Sequence, residues 1–265
     1  MSRRTSPETG RAFIAKKPTY LTLGRILPSF ITLCSAACGM TAILWASRGN
    51  FSGAVMLVVI AAMLDTIDGR LARRFGTNSQ FGAELDSLAD SISFGVAPAF
   101  IMFFWAGAPV DRPAWAVSVI FAMAVVLRLA RFNASASDGS EAEYCKNFFT
   151  GVPAPAGGML ALLPVAMYKV TEAAVFQHPS FVILNLFLVA VLLVSRVPTL
   201  SLKRVHITKE WSAAVLILLF AIILSMILFF WQTFVVIWVW YLFTIPFTII
   251  AFLKKRAATM EKSHG

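Results

Sequence analysis

Apolar residues in this chain run in blocks of about 20, the length a helix needs to cross the hydrocarbon core of a bilayer, with short polar joints between them. The blocks fall at 27–46, 51–75, 82–105, 115–133, 151–168, 181–196, 211–231 and 234–253. This pattern predicts an all-α, polytopic transmembrane helical bundle of about eight spans. Pro28 stands at the start of the first block, where a helix tolerates proline. Ahead of it, the stretch 13–26 (FIAKKPTYLTLGRI) mixes bases with apolar residues and suits an amphipathic segment lying in the membrane interface, although Pro18 would interrupt one long helix. Residues 1–11 have neither the apolar stretch nor the cleavage site of a signal peptide, and a disordered basic tail is expected. The expected organisation is a basic N-terminal tail and interfacial segment (1–26), a membrane domain (27–253) and a basic C-terminal tail (254–265).

Composition agrees with the pattern: 58% of residues are hydrophobic and only 14% charged, which excludes a soluble domain. A net charge of +10 would suggest a nucleic-acid partner, but the placement of the bases argues otherwise. With eight spans both termini share one side, and 20 of the 23 Lys and Arg residues fall there, leaving only Arg48, Arg112 and Lys169 on the other. The positive-inside rule then puts both termini in the cytoplasm, and the basic face suits anionic lipid headgroups rather than nucleic acid.

Cysteine and histidine offer little chemistry. Cys34 and Cys38 are four apart in the first block, but no further Cys or His nearby completes a tetrahedral metal set, so packing is their expected role. Cys145 and the three histidines, His178, His206 and His264, lie in or near joints without paired acids. Trp105, Trp115, Trp211 and Trp231 mark block ends and read as interfacial anchors.

The acids carry the chemistry. In MLDTIDGRLARRFGTNSQFGAELDSLADSISFG, Asp65 and Asp68 are three apart and Asp86 and Asp90 four apart, so each pair projects from one helical face and the two faces can converge. An Asp at the centre of a membrane helix costs about 2.5–3.5 kcal/mol on insertion scales, so four together make sense where water or divalent cations reach them. Gly69, Ala72 and Gly82 border the acids with small side chains, leaving room for a ligand to approach, and Arg73 supplies a positive charge suited to a phosphate oxygen. Acids for divalent metal beside bases for phosphate are the ingredients of phosphoryl or phosphatidyl transfer.

Asp65, Asp68, Gly69, Ala72, Arg73, Gly82, Asp86 and Asp90 together resemble the signature of the CDP-alcohol phosphotransferases: two Asp three apart, Gly, Ala-Arg, eight residues, Gly, and two Asp four apart. Outside the signature, LPSFITLCSAACG, LADSISFGVAPA, RLARFN (128–133) and FTGVPAPAGG (149–158) are similar to the membrane-embedded phosphatidylserine synthases of bacteria and archaea, with Val152 and Gly157 replacing the Leu and Ala expected there.

The resemblance implies an integral enzyme of the bacterial cytoplasmic membrane, with its active site at the cytoplasmic face, that joins the phosphatidyl group of CDP-diacylglycerol to the hydroxyl of L-serine and releases CMP. It implies two divalent ions, Mg²⁺ or Mn²⁺, held by Asp65, Asp68, Asp86 and Asp90, with Asp90 also the general base. It further implies nucleotide contacts at Gly69, Ala72, Arg73 and Gly82, and a homodimer.

Arg128 and Arg131, three apart at the end of the fourth block with Asn133 beyond them, suit a diphosphate or the carboxylate of serine; snorkelling to the interface is the plainer account of either base. Another enzyme of the family, making phosphatidylcholine or phosphatidylglycerol phosphate, would keep the signature and change only the acceptor pocket. A cation transporter would account for the acids but not for the Gly, Ala and Arg between them.

Overall fold

The computed structural model describes residues 23–76, 79–106, 112–138, 148–195, 198–200 and 212–264. The N-terminal tail and most of the interfacial segment lie outside these residues. Among the described residues ten α-helices follow in chain order: α1 Leu23–Ser47, α2 Phe51–Phe75, α3 Gln80–Asp90, α4 Ala97–Trp105, α5 Arg112–Asp138, α6 Ala154–Ala161, α7 Leu163–Thr171, α8 Pro179–Val194, α9 Ser212–Leu228 and α10 Phe230–His264. Helices α3 and α4 are joined by a π-helical turn, Ser91–Val96, and a 3₁₀ turn, Ala174–Gln177, precedes α8. Among the described residues the one departure from helix pairing is a short antiparallel ribbon in which β1 (Phe148–Thr150) sets Phe148 opposite Leu200 of β2 (Pro198–Leu200).

Among the described residues, four helical stretches are long and apolar enough to cross a membrane: Ile26–Ser47, Phe51–Phe75, Gln80–Trp105 and Arg112–Ala134. Three shorter apolar helices, Pro179–Val194, Ala214–Leu228 and Phe230–Pro246, follow. The pattern of blocks is therefore helical throughout, but the later ones depart from uninterrupted spans.

The block at 151–168 is split at Leu162 into α6 and α7. Pro164 has no N–H to give to the carbonyl of Leu160, so the helix cannot continue through it. Asn185 of α8 supplies the missing donor, its Nδ2 lying 3.3 Å from Leu160 O and 3.1 Å from Ala161 O. The last two blocks divide at Phe229, which assigns Trp231 to α10 rather than to the end of the preceding helix.

Helix α1 also begins earlier than expected, so Pro28 lies inside it and costs the one bond to the Gly24 carbonyl near the helix end. Trp105 is 5% exposed, packed edge-on to Phe51 and Tyr168 with its Nε1 donating to Phe176 O at 3.0 Å, and is a core residue rather than an interfacial anchor.

Small residues let the first helices approach closely, as helix packing in lipid requires. Ala42 and Ala46 of α1 are buried with Ala54, Val55 and Val58 of α2 in the same core. A Cβ on Gly39 would stand 2.8 Å from Ser93 Cα, and one on Gly158 3.0 Å from Phe94 O. The π turn is thus clamped between α1 and α6 at two glycines. Hydroxyls tie the same layers together: Ser93 Oγ donates to Ser35 O at 3.1 Å, and Ser35 Oγ to Ala61 O at 3.0 Å. Helix α9, by contrast, exposes almost every large apolar side chain, as a lipid-facing helix does.

Candidate active site

The reversal between α2 and α3 brings the two acid pairs together. Gly76 ends α2 with φ of 61°, a left-handed conformation that suits glycine, and its N–H caps the carbonyls of Ala72 and Arg73. Ser79 then starts α3, its hydroxyl accepting the Gly82 N–H at 3.0 Å. Asp65 and Asp68 on the C-terminal half of α2 consequently meet Asp86 and Asp90 on the C-terminal half of α3.

One carboxylate oxygen from each of Asp65, Asp68 and Asp86 lies within 4.8 Å of the others. Asp90 adjoins this group through Asp65, which is within hydrogen-bonding reach of both Asp86 and Asp90. The convergence of all four acids expected from their spacing is therefore present, with Asp90 placed beside the trio rather than in it.

Thr32 of α1 joins the cluster from outside the signature. Buried in the first span, its hydroxyl donates to Asp68 Oδ2 at 2.7 Å, with the Pro28 carbonyl at 3.0 Å as the alternative acceptor. Sequence reasoning passed over this residue; the available signal was its place within the LPSFITLCSAACG stretch.

A cavity of about 290 Å³ opens beside the acids, lined by Pro28, Ser29 and Thr32 of α1, Asp68, Gly69, Ala72 and Arg73 of α2, Ser79, and Gly82, Ala83 and Asp86 of α3. All four residues expected to contact a nucleotide border it. A Cβ on Gly69 would meet only Arg73 Nη1, at an ordinary 3.7 Å, so packing within the protein does not demand glycine there. At Gly82 a Cβ would press on the Ser79 hydroxyl at 3.2 Å, so this glycine also serves the cap of α3.

The three polar residues of α5 behave differently from one another. Arg128 is half-buried and interacts electrostatically with Asp90 and with Tyr241 of α10. Arg131 is exposed and its Nη1 donates to Val194 O at 2.9 Å, bracing the end of α8. Asn133 Nδ2 donates to Ser87 Oγ at 2.9 Å and so ties α5 to the acid-bearing helix α3.

An all-carboxylate donor set this compact suits a hard divalent cation with oxygen ligands, and a soft metal would find no thiolate or imidazole in it. Two pairs of acids, an adjacent cavity with small walls and the Arg73 guanidinium in its lining can hold a nucleoside diphosphate and remove a proton next to it.

Comparison with known proteins bears directly on this arrangement. Residues 25–195, which contain the acids, the cavity and α5, match the family described as CDP-alcohol phosphatidyltransferase. The chain is 36% identical over 230 residues to a CDP-diacylglycerol–serine O-phosphatidyltransferase of Mycobacterium leprae, an alignment covering 85% of this chain and 75% of the relative. It is 36% identical over 193 residues to the protein of the same name from Helicobacter pylori strain 26695, covering 73% and 78%. An archaetidylserine synthase of Methanothermobacter thermautotrophicus is 36% identical over 133 residues, or 49% of this chain and 53% of that one. The chain belongs to the CDP-alcohol phosphatidyltransferase family.

Proposed function

We propose that this protein transfers the phosphatidyl group of CDP-diacylglycerol to the hydroxyl of L-serine, giving phosphatidylserine and CMP. The observation that carries the reading is the convergence of Asp65, Asp68, Asp86 and Asp90 beside a cavity walled by Gly69, Ala72 and Gly82 with Arg73 at its edge. The names of the relatives that cover most of their length in the alignment select serine as the acceptor.

In this reading Asp65, Asp68 and Asp86 hold one Mg²⁺ or Mn²⁺, and Asp65, Asp86 and Asp90 contribute to a second. When bound, such ions offset negative charge on the diphosphate oxygens. Gly69, Ala72 and Gly82 leave the space that the cytidine and diphosphate occupy, and Arg73 faces the phosphates. Asp90, outside the tight trio, accepts the serine hydroxyl proton as that oxygen attacks the phosphorus bearing diacylglycerol; the bond to the CMP oxygen breaks in the same displacement. Arg128 stands on the acceptor side of Asp90, while Arg131 and Asn133 hold α5 against α8 and α3.

An apolar groove of about 390 Å³, lined by Val59, Met63 and Ile67 of α2 with Met159, Met226 and Trp238, has the character an acyl chain needs. The reading further places the protein in the bacterial cytoplasmic membrane with eight crossings, the interruption at Leu162 included, both termini and the acids toward the cytoplasm, and two copies per assembly.

The test is CMP release by the purified protein with CDP-diacylglycerol and, in turn, serine, choline, glycerol 3-phosphate and inositol. Release confined to serine, with labelled serine recovered in lipid, is the expected result. Preference for another acceptor would replace serine and leave the phosphatidyl transfer; no CMP release with any of the four would remove the reading.

A further inference from the structure

Two polar atoms in this fold are buried yet have no hydrogen-bond partner among the described residues: Nε of Arg128 and the hydroxyl of Tyr241. A buried donor left unsatisfied costs about 1–3 kcal/mol, so two of them, one on α5 and one on α10, call for a ligand group that both can reach. The two interact electrostatically with each other, and Arg128 interacts with Asp90 as well. Tyr241 is supplied by α10, the last helix, where its ring stacks edge-on against Trp238 with centroids 5.7 Å apart. Neither residue lines the cavity beside Gly69 and Gly82, and neither does Asp90. The orphaned pair therefore lies near the candidate base without bordering the nucleotide cavity.

We infer that Tyr241 completes the acceptor pocket: its hydroxyl and the Arg128 Nε–H together take the α-carboxylate of the acceptor and so present the acceptor's hydroxyl to Asp90. The inference rests on the serine-transfer reading above and adds a residue from the last helix to it. A carboxylate has two oxygens, and each accepts one of the two converging donors. In serine only Cα and Cβ separate that carboxylate from the reacting hydroxyl, so a carboxylate held beside Asp90 leaves the hydroxyl no distance to travel. Apart from its reacting hydroxyl, choline offers no acceptor atom to either donor, which makes the same pair a source of selectivity.

The test uses the full chain in lipid with Tyr241→Phe, which removes the hydroxyl and keeps the ring. The expected result is a rise of about 10–100-fold in serine KM, the worth of one hydrogen bond to a charged group. CDP-diacylglycerol binding measured without serine should stay within about twofold of wild type. Thermal stability should hold or rise, because an unpartnered buried hydroxyl has been removed. With ethanolamine, which has no group in place of the carboxylate, wild type and variant should turn over alike.

An unchanged serine KM overturns the inference. So does weakened CDP-diacylglycerol binding in the absence of serine, which assigns the hydroxyl to the diphosphate, and so does a fall in melting temperature with both KM values raised, which assigns it to packing. Wild-type protein that releases no CMP with serine overturns the serine reading and this inference together, an outcome distinct from normal kinetics in the variant alone.

Discussion

Thr32→Val is the sharpest probe of how the acid cluster is held. The Thr32 hydroxyl lies 2.7 Å from Asp68 Oδ2 and belongs to a different helix from all four acids. It ties α1 to the trio and orients the Asp68 carboxylate. Valine keeps the branched shape and the helix, so the substitution removes the donor with little change in volume. A hydrogen bond to a charged group contributes about 1.5–3 kcal/mol, and at 1.4 kcal/mol per tenfold this is a loss of roughly 10–150-fold. Outer partners of metal ligands affect affinity over a similar range, about 10–100-fold.

The Mn²⁺ concentration that half-activates CMP release should therefore rise by about one to two orders of magnitude in Thr32→Val, with turnover at saturating Mn²⁺ near that of wild type. Calorimetric titration of Mn²⁺ into the protein without lipid substrate should show the same shift. Thr32→Ser, which keeps the hydroxyl, should behave as wild type. Half-activation and Mn²⁺ affinity both within twofold of wild type in the Val variant would refute the argument that this bond positions Asp68.

Asp90→Asn should retain CDP-diacylglycerol binding and lose turnover by about 10²–10⁴-fold, the usual worth of a general base; normal turnover measured by CMP release removes Asp90 from that role. Gly158→Ala should cost about 1–3 kcal/mol in thermal unfolding because its Cβ would press on Phe94 at 3.0 Å. Gly69→Ala should leave the melting temperature alone and raise the KM for CDP-diacylglycerol, since its Cβ meets only Arg73 at 3.7 Å and occupies the cavity instead; equal melting losses in the two variants would contradict this division. In a cysteine-free background of intact cells, labels placed at Thr5 and Met260 should be protected from an impermeant reagent and a label at Asn50 accessible, and modification of either terminus from outside overturns the orientation.

The acid site was legible because its parts lie close together along the chain. Three- and four-residue spacings on two successive helices determine which side chains share a face, and Gly76 and Ser79 make the reversal that joins the faces. Thr32 and Tyr241 were not legible, since each reaches the site from a helix distant in sequence and each is a residue type common in apolar spans for other reasons.

The split of α6 from α7 was half legible. Pro164 was in plain view, but the donor that makes the break tolerable, Asn185, sits alone in the apolar run FVILNLFL. The π turn leaves no periodic trace in SISFGV, and Trp105 carries the same aromatic signature whether it anchors an interface or, as here, fills the core.

The placement of that π turn bears on how the acids coexist. Three ionised carboxylates within 4.8 Å of one another repel by about 3.5 kcal/mol per pair at an effective dielectric constant of 20. Summed over the trio this approaches the whole stability of an ordinary domain, about 5–15 kcal/mol. Two of the three pairs act between α2 and α3, and the trio itself contains no cation to oppose them.

What resists separation is apolar and steric. The π turn begins at the residue after Asp90 and is locked by close approach at Gly39 and Gly158, by burial of Phe94 and by the Ser93 to Ser35 hydrogen bond, while Ser35 in turn grips α2 at Ala61. Helix α1 thus pins both acid-bearing helices at points one to two turns from the carboxylates. The clamp can hold the acids in place for a cation to bind, and the cation then removes the repulsion that the clamp resists. By linkage, affinity for the ion and stability of this corner of the fold are coupled, which is why residues such as Thr32 and Gly39, neither of them an acid, belong to the working of the site.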